Sequence, residues 1–280
     1  MARWVVLCKA QAKLKPEISI TFLGTGTSTG VPVIGCHCDV CRSGDPLLKR
    51  TRSSIHLQTP EFSILVDTGP DLREQALRED LTKVDTVLYT HAHLDHITGF
   101  DELRAFCWHR DAPLPMYGSP QCLAEIKRIF SWAFLSTNTY RGYVKPEAIE
   151  TQGPFSLGDL TVTPIPVVHG NIDTQGYRFD YPGAPSIAYL PDVKTIPEES
   201  WHLVEDISVL IIDSLHQREH ATHMSLSESI ATATRLRAHN TYLTHLSHEL
   251  DARETLSELP EHFQFAYDGL KLHFTPTLPS

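Results

Sequence analysis

The densest group of metal-binding side chains in this 280-residue sequence lies between Thr90 and His96. The run contains four such side chains within six positions: His91, His93, Asp95 and His96. Packing these groups together is costly unless a divalent cation satisfies their lone pairs and charge. A His-rich tract can instead be a solvated loop. Because the run alternates and directly follows an apolar, β-branched segment at residues 84–89, the sequence favours a metal site.

Three further metal-capable residues each come directly after an apolar segment. They are His169, Asp192 and His245, which follow residues 165–168, 188–191 and 242–244. Each of them alone is typical of a capping or turn residue. Open α/β sheets bind ligands at strand ends, so we expect the three residues to join the first run. Together the seven side chains supply five histidines and two aspartates, which fits two cations that share a carboxylate.

A second cluster contains three cysteines, Cys36, Cys38 and Cys41, at spacings of two and three residues. They are too close for comfortable mutual disulfides, and no signal-peptide pattern precedes them, so a reducing compartment and metal binding fit better. A structural zinc needs a fourth ligand. His37 is nearest, but we expect its side chain to point away from the turn, and His248 is the better candidate. Reduced cysteines without metal are the alternative.

The elements that must position these residues alternate between strands and helices. We predict strands over residues 18–23, 53–58, 62–67, 84–89, 160–168, 176–181, 186–190, 207–213 and 241–244, and a final β-pair over 263–274. Helices are predicted over residues 71–80, 100–110, 120–134 and 225–239. Pro164 and Pro166 confine their strand to an edge or a strand end. No repeat or linker interrupts the pattern, which predicts one α/β domain over 18–280 after a loose extension over 1–17.

Composition narrows the classes of partner. The formal net charge is −10 and the pI is near 5.9, which disfavours long nucleic acids as partners. Small anions stay compatible, because metal ions supply positive charge locally. No apolar run approaches about 20 residues, so we predict no membrane span. Residues 1–17 lack the features of a targeting sequence, and we expect a cytoplasmic location.

The order of these motifs resembles the metallo-β-lactamase superfamily of hydrolases, from about residue 18 to residue 274. The resemblance implies a four-layer αββα sandwich. It also implies two metal sites that share Asp192: His91, His93 and His169 for one, and Asp95, His96 and His245 for the other. Asp67 matches an early aspartate that orients the site through hydrogen bonds. Between the metals, water would become a hydroxide nucleophile, and zinc, manganese and iron are all admissible.

The cysteine loop narrows this resemblance. The Gly-Thr-Gly segment at 24–26, the loop from Gly30 to Cys41 and the Thr-His-Leu-Ser-His segment at 244–248 resemble the phosphoribosyl 1,2-cyclic phosphate phosphodiesterases. In that family the three cysteines and the second histidine hold a structural zinc, which implies Cys36, Cys38, Cys41 and His248 here. His223, just before a predicted helix, matches a histidine that contacts the scissile phosphate. It would stabilise charge or protonate the leaving oxygen. A solvent-exposed histidine at a helix start is the alternative.

We therefore expect a phosphodiesterase with two divalent ions (Mn or Zn), one structural zinc, and catalytic roles for His223, Asp95 and Asp67. Its expected substrate is a small diester similar to a cyclic ribose phosphate, with Ser28 and Thr29 lining the pocket. Against tRNA processing, residues 136–153 carry only Arg141 and Lys145 as basic groups and form no long basic arm.

Two other interpretations stay open. Thioester hydrolases of the glyoxalase II type use the same seven ligands but lack the cysteine loop. Proteins similar to pyrroloquinoline-quinone biosynthesis protein B share the loop but depart at the dinuclear site. A homodimer is expected from the resemblance alone.

Overall fold

Two seven-stranded sheets form the centre of the molecule. We describe them in a computed structural model that covers residues 17–277, apart from residues 139 and 141 and the side chain of residue 258. The predicted extension over residues 1–17 lies outside the described residues except for Glu17, and so does Arg141.

The strands, in chain order, are β1 (Ile18–Gly24), β2 (Ser54–Gln58), β3 (Ser63–Val66), β4 (Thr86–Leu88), β5 (Leu114–Gly118), β6 (Pro146–Glu150), β7 (Phe155–Leu157), β8 (Leu160–His169), β9 (Ile172–Asp180), β10 (Ile187–Leu190), β11 (Val209–Asp213), β12 (Asn240–Thr244), β13 (Phe263–Phe265) and β14 (Lys271–Phe274). The first sheet has the order β14-β1-β2-β3-β4-β5-β6, and the second has the order β13-β12-β11-β10-β9-β8-β7. Strands β3 to β6 run parallel, as do β10 to β13.

The helices are α1 (Asp39–Arg42), α2 (Leu72–Arg78), α3 (Leu94–Ile97), α4 (Arg104–Cys107), α5 (Pro120–Ile129), α6 (Leu226–Leu236) and α7 (Ala252–Thr255). Short 3₁₀ turns lie at Pro46–Leu48, Phe100–Leu103, Ser131–Phe134, Glu198–Val204 and Leu256–Glu258. The predicted helix over 100–110 is a 3₁₀ turn followed by α4. The one over 120–134 ends at Ile129 and continues as a 3₁₀ turn.

The buried apolar residues form three clusters between the layers of the fold. One cluster fills the space between the sheets and includes Ile64 and Val66 of β3 together with Tyr189 of β10. Leu65, between the first two, points to the opposite face and packs with residues of α2 and α5, such as Leu72. A third cluster packs α6 on the second sheet. These layers confirm the predicted α/β class and the αββα sandwich. No helix in the described ranges combines the length and apolar content needed to cross a membrane.

The final two strands do not form the predicted pair. Strand β13 pairs in parallel with β12, with Phe265 opposite Leu243, whereas β14 pairs antiparallel with β1, with Leu272 opposite Ile20. The prediction was wrong because two short apolar segments close in sequence look like a hairpin, while their partners lie more than 20 residues away. The chain crosses between the sheets at Asp268, whose carboxylate accepts backbone N–H groups.

The two prolines of β8 lie at a strand edge, as the sequence predicts. Strand β7 pairs with β8 only up to Val162. Pro164 and Pro166 follow on the stretch where β9 is the neighbouring strand within the described ranges. Because proline cannot donate to a ladder, this free outer edge accommodates both residues.

Candidate metal centre

The structure brings all seven predicted ligands to one edge of the sandwich. His91 and His93 follow β4, Asp95 and His96 lie on α3, and His169 ends β8. Asp192 is the second residue after β10, and His245 is the first residue after β12. The ligand atoms form two overlapping groups: His91, His93, His169 and Asp192, and His96, Asp192 and His245. Asp95 joins the second, because its Oδ2 lies 3.3 Å from Nε2 of His96.

In the first group, three ring nitrogens converge. Nδ1 of His93 lies 2.9 Å from Nε2 of His91 and 3.3 Å from Nε2 of His169. His169 donates from Nδ1 to the Thr222 carbonyl at 2.8 Å, so the neutral ring has a lone pair on Nε2. The Thr90 hydroxyl donates to Asp67 and therefore accepts from Nδ1 of His91 at 3.0 Å. The neutral His91 ring thus has its lone pair on Nε2 as well. Lone pairs on Nε2 of His91 and of His169 therefore face Nδ1 of His93, and a cation between the three nitrogens fits this arrangement.

In the second group, several buried atoms lack a hydrogen-bond partner within the described residues. They are Nε2 of His96, Oδ1 of Asp192 and Nε2 of His245. Leaving such atoms unsatisfied is unfavourable, so the donor set fits a divalent cation. Oδ1 of Asp192 lies 3.3 Å from Nε2 of His96 and 3.2 Å from Nδ1 of His245.

Asp192 connects the two groups through separate oxygens. Its Oδ2 lies 3.8 Å from Nε2 of His91 and 3.7 Å from Nε2 of His169, while Oδ1 faces His96 and His245. Burial alone would raise the pKa of Asp192, but the neighbouring His245 and His96 lower it well below its ordinary value. The carboxylate is therefore ionised and presents one oxygen to each group, as a shared ligand must.

The imidazoles of the site differ in charge. Burial lowers the pKa of His91 well below its ordinary value and lowers that of His245 to about 3, so both rings are neutral, as ligation requires. Burial acts in the same direction on His96, but Asp192, Asp95 and Asp67 outweigh it and raise its pKa. The carboxylates that favour a proton on His96 favour a divalent cation at the same place.

Asp67 lies behind the ligands and not in the cleft. It is fully buried at the end of β3, and its Oδ2 accepts from Nδ1 of His96 at 2.8 Å while Oδ1 accepts from the Thr90 N–H at 2.8 Å. Asp67 and His245 both have left-handed backbones, with φ of 63° and 58°. Such a conformation costs of order 1–3 kcal/mol and persists where the surrounding packing fixes it. Asp67 can thus orient His96, which is a positioning role.

His223 lies on the wall of a cleft of about 230 Å³ that is also lined by five of the seven ligand candidates, which are His93, Asp95, His169, Asp192 and His245. Its ring is 4.6 Å from the His169 ring and stacks on the His245 ring at 4.7 Å. Ser28 also lines this cleft, as predicted. Thr29 does not, because it lines a neighbouring cavity together with Gly30.

Sequence reasoning missed Asp213, the partner of His223. Nδ1 of His223 donates to Oδ2 of Asp213 at 2.7 Å. Burial alone would lower the pKa of His223, but Asp213 raises it above the ordinary value. The sequence does contain a signal for Asp213, because this residue lies at the end of the predicted strand 207–213. Asp192 likewise follows the predicted strand 186–190. Only the fold shows which strand end faces His223.

The cysteine cluster forms with His248 and without His37. Sγ of Cys36 and Sγ of Cys38 lie 3.3 and 3.4 Å from Nδ1 of His248, and Cys41 completes the group. His37 is exposed. The Cys41 N–H donates to the Cys38 sulfur, and this hydrogen bond lowers the pKa of the Cys38 thiol. Three sulfurs and one imidazole nitrogen suit tetrahedral zinc.

The segment after β1, which leads into the cysteine loop, is joined to the loop that carries His245 by backbone contacts. Leu246, between His245 and His248, donates its N–H to the Thr25 carbonyl at 2.9 Å and accepts from the Thr27 N–H at 3.2 Å. A cation bound at the cysteines would therefore brace the segment that carries His245.

The sequence profile described as "Beta-lactamase superfamily domain" matches residues 63–246. A solved structure described as a new diphosphatase from the PhnP family is 38% identical, with a TM-score of 0.85, and the match covers 94% of this chain and 99% of that one. The probable metallo-hydrolase YhfI of Bacillus subtilis is 24% identical over 78% of this chain and 87% of its own.

The octanoyltransferase of Porphyromonas gingivalis is 38% identical over 254 residues, which are 89% of this chain. This chain spans 50% of the length of that protein. The profile match covers more than half of the chain, and the matched segment contains the six residues of the two histidine groups as well as Asp95. The chain therefore belongs to the beta-lactamase superfamily, and its fold and relatives make it a metal-dependent hydrolase.

Proposed function

We propose that this protein hydrolyses small phosphodiesters at a dinuclear metal centre and carries a separate structural zinc. The observation that carries the proposal is the position of the two Asp192 oxygens: Oδ2 faces His91 and His169, and Oδ1 faces His96 and His245. A single cation would need only one group of histidine nitrogens. Here a separate buried group lies beside each oxygen of the Asp192 carboxylate.

The residues assigned to the two metals are His91, His93 and His169 for one, Asp95, His96 and His245 for the other, and Asp192 for both. When bound, two such cations (manganese or zinc) polarise a phosphoryl oxygen and make water a stronger nucleophile near neutral pH. The structural zinc is assigned to Cys36, Cys38, Cys41 and His248.

The side chains around the metals orient the reacting groups and move a proton. Asp67 accepts from Nδ1 of His96, and the Thr222 carbonyl accepts from Nδ1 of His169, so Nε2 of each ring would be free to bind a cation. His223 uses Nδ1 to bind Asp213, which leaves Nε2 on the cleft side. In its protonated form, stabilised by Asp213, His223 can give a proton to the leaving oxygen.

Three observations support attack at phosphorus over attack at a thioester. The relative at 38% identity is described as a diphosphatase, whose reaction also breaks a bond at phosphorus. His223 supplies an acid next to the ligands, which an alkoxide leaving group needs more than a thiolate does. The cysteine cluster is the feature that glyoxalase II-type hydrolases lack. Octanoyl transfer is not proposed, because the match covers half of that relative.

Charge restricts the substrate to small molecules. The net charge of −10 disfavours a long nucleic acid, while the small cleft suits a compact diester such as a cyclic ribose phosphate. We further propose a cytoplasmic location and a homodimer.

The test combines metal analysis with turnover. We expect about three metals per chain and hydrolysis of bis(p-nitrophenyl) phosphate that chelation removes and manganese or zinc restores. Asp192→Ala should lose at least one metal and at least 100-fold in kcat. Asp206→Asn, an exposed aspartate with a left-handed backbone, is the matched control and should behave as wild type.

Two outcomes would overturn the proposal. One is a fully metal-loaded protein that fails on phosphodiesters. The other is faster turnover of a chromogenic thioester, which would favour the thioester hydrolase. A metal-supplemented screen of small diesters, with phosphoribosyl 1,2-cyclic phosphate and diphosphates included, would then identify the substrate.

A further inference from the structure

A buried serine contacts one of the ligand candidates from behind the metal cleft. Oγ of Ser53 lies 3.2 Å from Nδ1 of His245, and Ser53 is fully buried directly before β2. His245 lines the cleft, whereas Ser53 does not. The mechanism proposed above gives a hydrogen-bond partner to His96 and to His169 but gives none to His245. Ser53 is therefore a candidate for the group that orients this ring.

The hydrogen bonds of Ser53 fix the direction of its hydroxyl. The Gly26 carbonyl, which can only accept, lies 3.0 Å from Oγ of Ser53, so the hydroxyl donates to it. The Ser53 oxygen then accepts from Nδ1 of His245. Nδ1 also lies 3.2 Å from Oδ1 of Asp192, but that oxygen receives no hydrogen bond from the described residues. The Nδ1 proton is thus directed at Ser53 and not at the shared carboxylate.

This arrangement decides which nitrogen of His245 is available to a cation. A neutral imidazole carries one proton, so a proton on Nδ1 leaves the lone pair on Nε2. Nε2 of His245 is buried and has no hydrogen-bond partner among the residues that the structure describes. A buried lone pair without a donor is unfavourable, and a cation would satisfy it. The opposite tautomer would bury an N–H without an acceptor at the same place and could not bind a cation there.

A close backbone approach at Gly26 keeps Ser53 beside the ring. Gly26 forms β-bridges with Arg52, which precedes the serine, and with Leu246, which follows the histidine. A methyl group at Gly26 would lie 2.8 Å from Cβ of Arg50 and 3.0 Å from two backbone carbonyl oxygens. Any side chain there would therefore push the segments apart. The second glycine of the Gly-Thr-Gly segment thus has a structural role, because it keeps its carbonyl within reach of the Ser53 hydroxyl.

Resting on the proposed dinuclear centre, we infer that Ser53 is a positioning residue for His245: its hydroxyl holds the proton on Nδ1 and leaves Nε2 for the second cation. Ser53 acts through the ligand and touches no substrate. Its removal weakens the cation assigned to Asp95, His96 and His245, and it leaves the other histidine group and the cysteine cluster unchanged.

The first test measures bound zinc per chain by equilibrium dialysis against buffers of stepped free zinc concentration. In Ser53→Ala, one of the three expected zinc ions should need about 10–100-fold more free zinc, the usual effect of removing a group that orients a ligand. The other two ions should bind as in wild type. Ser54→Ala is the matched control, because Ser54 is also fully buried but donates to the backbone carbonyl of Val66 at 2.8 Å. This variant should bind all three ions as wild type does.

The second test needs neither metal nor turnover. In the metal-free protein with ¹⁵N-labelled histidine, the His245 ring should carry its proton on Nδ1 in wild type and in Ser54→Ala. In Ser53→Ala the Nδ1 resonance should move, because that proton loses its acceptor. A wild-type ring protonated on Nε2, an unmoved Nδ1 resonance, or wild-type zinc affinities in Ser53→Ala would overturn the inference.

The wild-type spectrum alone decides the tautomer, so the inference stays testable if Ser53→Ala does not fold. Failure of the phosphodiesterase proposal would show separately, as absent turnover of bis(p-nitrophenyl) phosphate by the metal-loaded wild type.

Discussion

Oδ2 of Asp213 accepts two hydrogen bonds, one of 2.7 Å from Nδ1 of His223 and one of 3.0 Å from the backbone N–H of Val193. Val193 directly follows Asp192, so the carboxylate that holds His223 also holds the backbone next to the shared ligand candidate. Asp213 is fully buried at the end of β11. A buried carboxylate placed in this way orients the imidazole and stabilises its protonated form.

We expect Asp213→Asn to lower kcat for a chromogenic phosphodiester about 100-fold, because the imidazolium of His223 loses its counter-charge. The metal content should stay at the wild-type value, since Asp213 contacts no ion-binding atom of the two histidine groups. Steady-state kinetics and elemental analysis on the same preparation would check both. A variant with wild-type kcat would show that His223 works without Asp213.

We expect Cys38→Ser to lose one zinc per chain and to keep the two other metals. Its sulfur lies 3.4 Å from Nδ1 of His248 and accepts the Cys41 N–H, so a serine breaks the sulfur set, and Cys38 belongs to neither histidine group. Elemental analysis combined with thermal unfolding would measure the loss. Cys107→Ala, at a cysteine of α4 outside the cluster, should retain all metals. Loss of all three metals in Cys38→Ser would instead show that the two sites form one unit.

We expect Gly69→Ala to destabilise the protein by about 2–3 kcal/mol, the range of an overpacked interior site. A methyl group there would lie 2.4 Å from the Asp95 carbonyl oxygen, so the turn after β3 must move away from α3, which carries Asp95 and His96. Denaturant unfolding would measure the change. Gly153→Ala is the matched control, because a methyl group at Gly153 meets no atom within 4 Å. Equal stability of the two variants would contradict the packing described for this turn.

We expect His56 to make the fold sensitive to acid. Burial, with a smaller contribution from Lys271, lowers the pKa of His56 to about 4, whereas an unfolded histidine titrates near pH 6.5. Above pH 6.5 both states are neutral and the residue has no effect. Below it the unfolded state binds the extra proton, so stability falls with pH until about pH 4, by about 3 kcal/mol in total.

The measurement for His56 is the unfolding free energy at pH 7 and pH 5 in wild type and in His56→Gln. Glutamine keeps a donor for the Ser63 hydroxyl, which accepts from Nε2 of His56 at 2.8 Å. The acid-induced loss should be smaller in the variant by about 2 kcal/mol. An equal loss in both proteins would show that His56 titrates normally in the folded state.

Much of the site follows from local sequence. His169, Asp192 and His245 were identified because each is the first metal-capable group after an apolar strand, and parallel strands end on the same edge of a sheet. His248 was preferred over His37 as the partner of the cysteines, and the structure places it there. The capping box at Ser225 and Glu228 likewise begins α6 within one residue of the predicted helix.

Tertiary structure decided what depends on partners far apart in the chain. Nothing local distinguishes Asp213 from any other residue at a strand end. Only the parallel pairing of β10, β11 and β12 in one sheet brings it to His223. The split of residues 263–274 between two sheets has the same cause, because short strands take their register from neighbours and not from their own pattern. The sequence by itself therefore determined the kinds of ligand and the strand ends that carry them. The fold decided which oxygen of Asp192 faces which histidines and which acid holds His223. Both depend on distances between chain segments that no local pattern encodes.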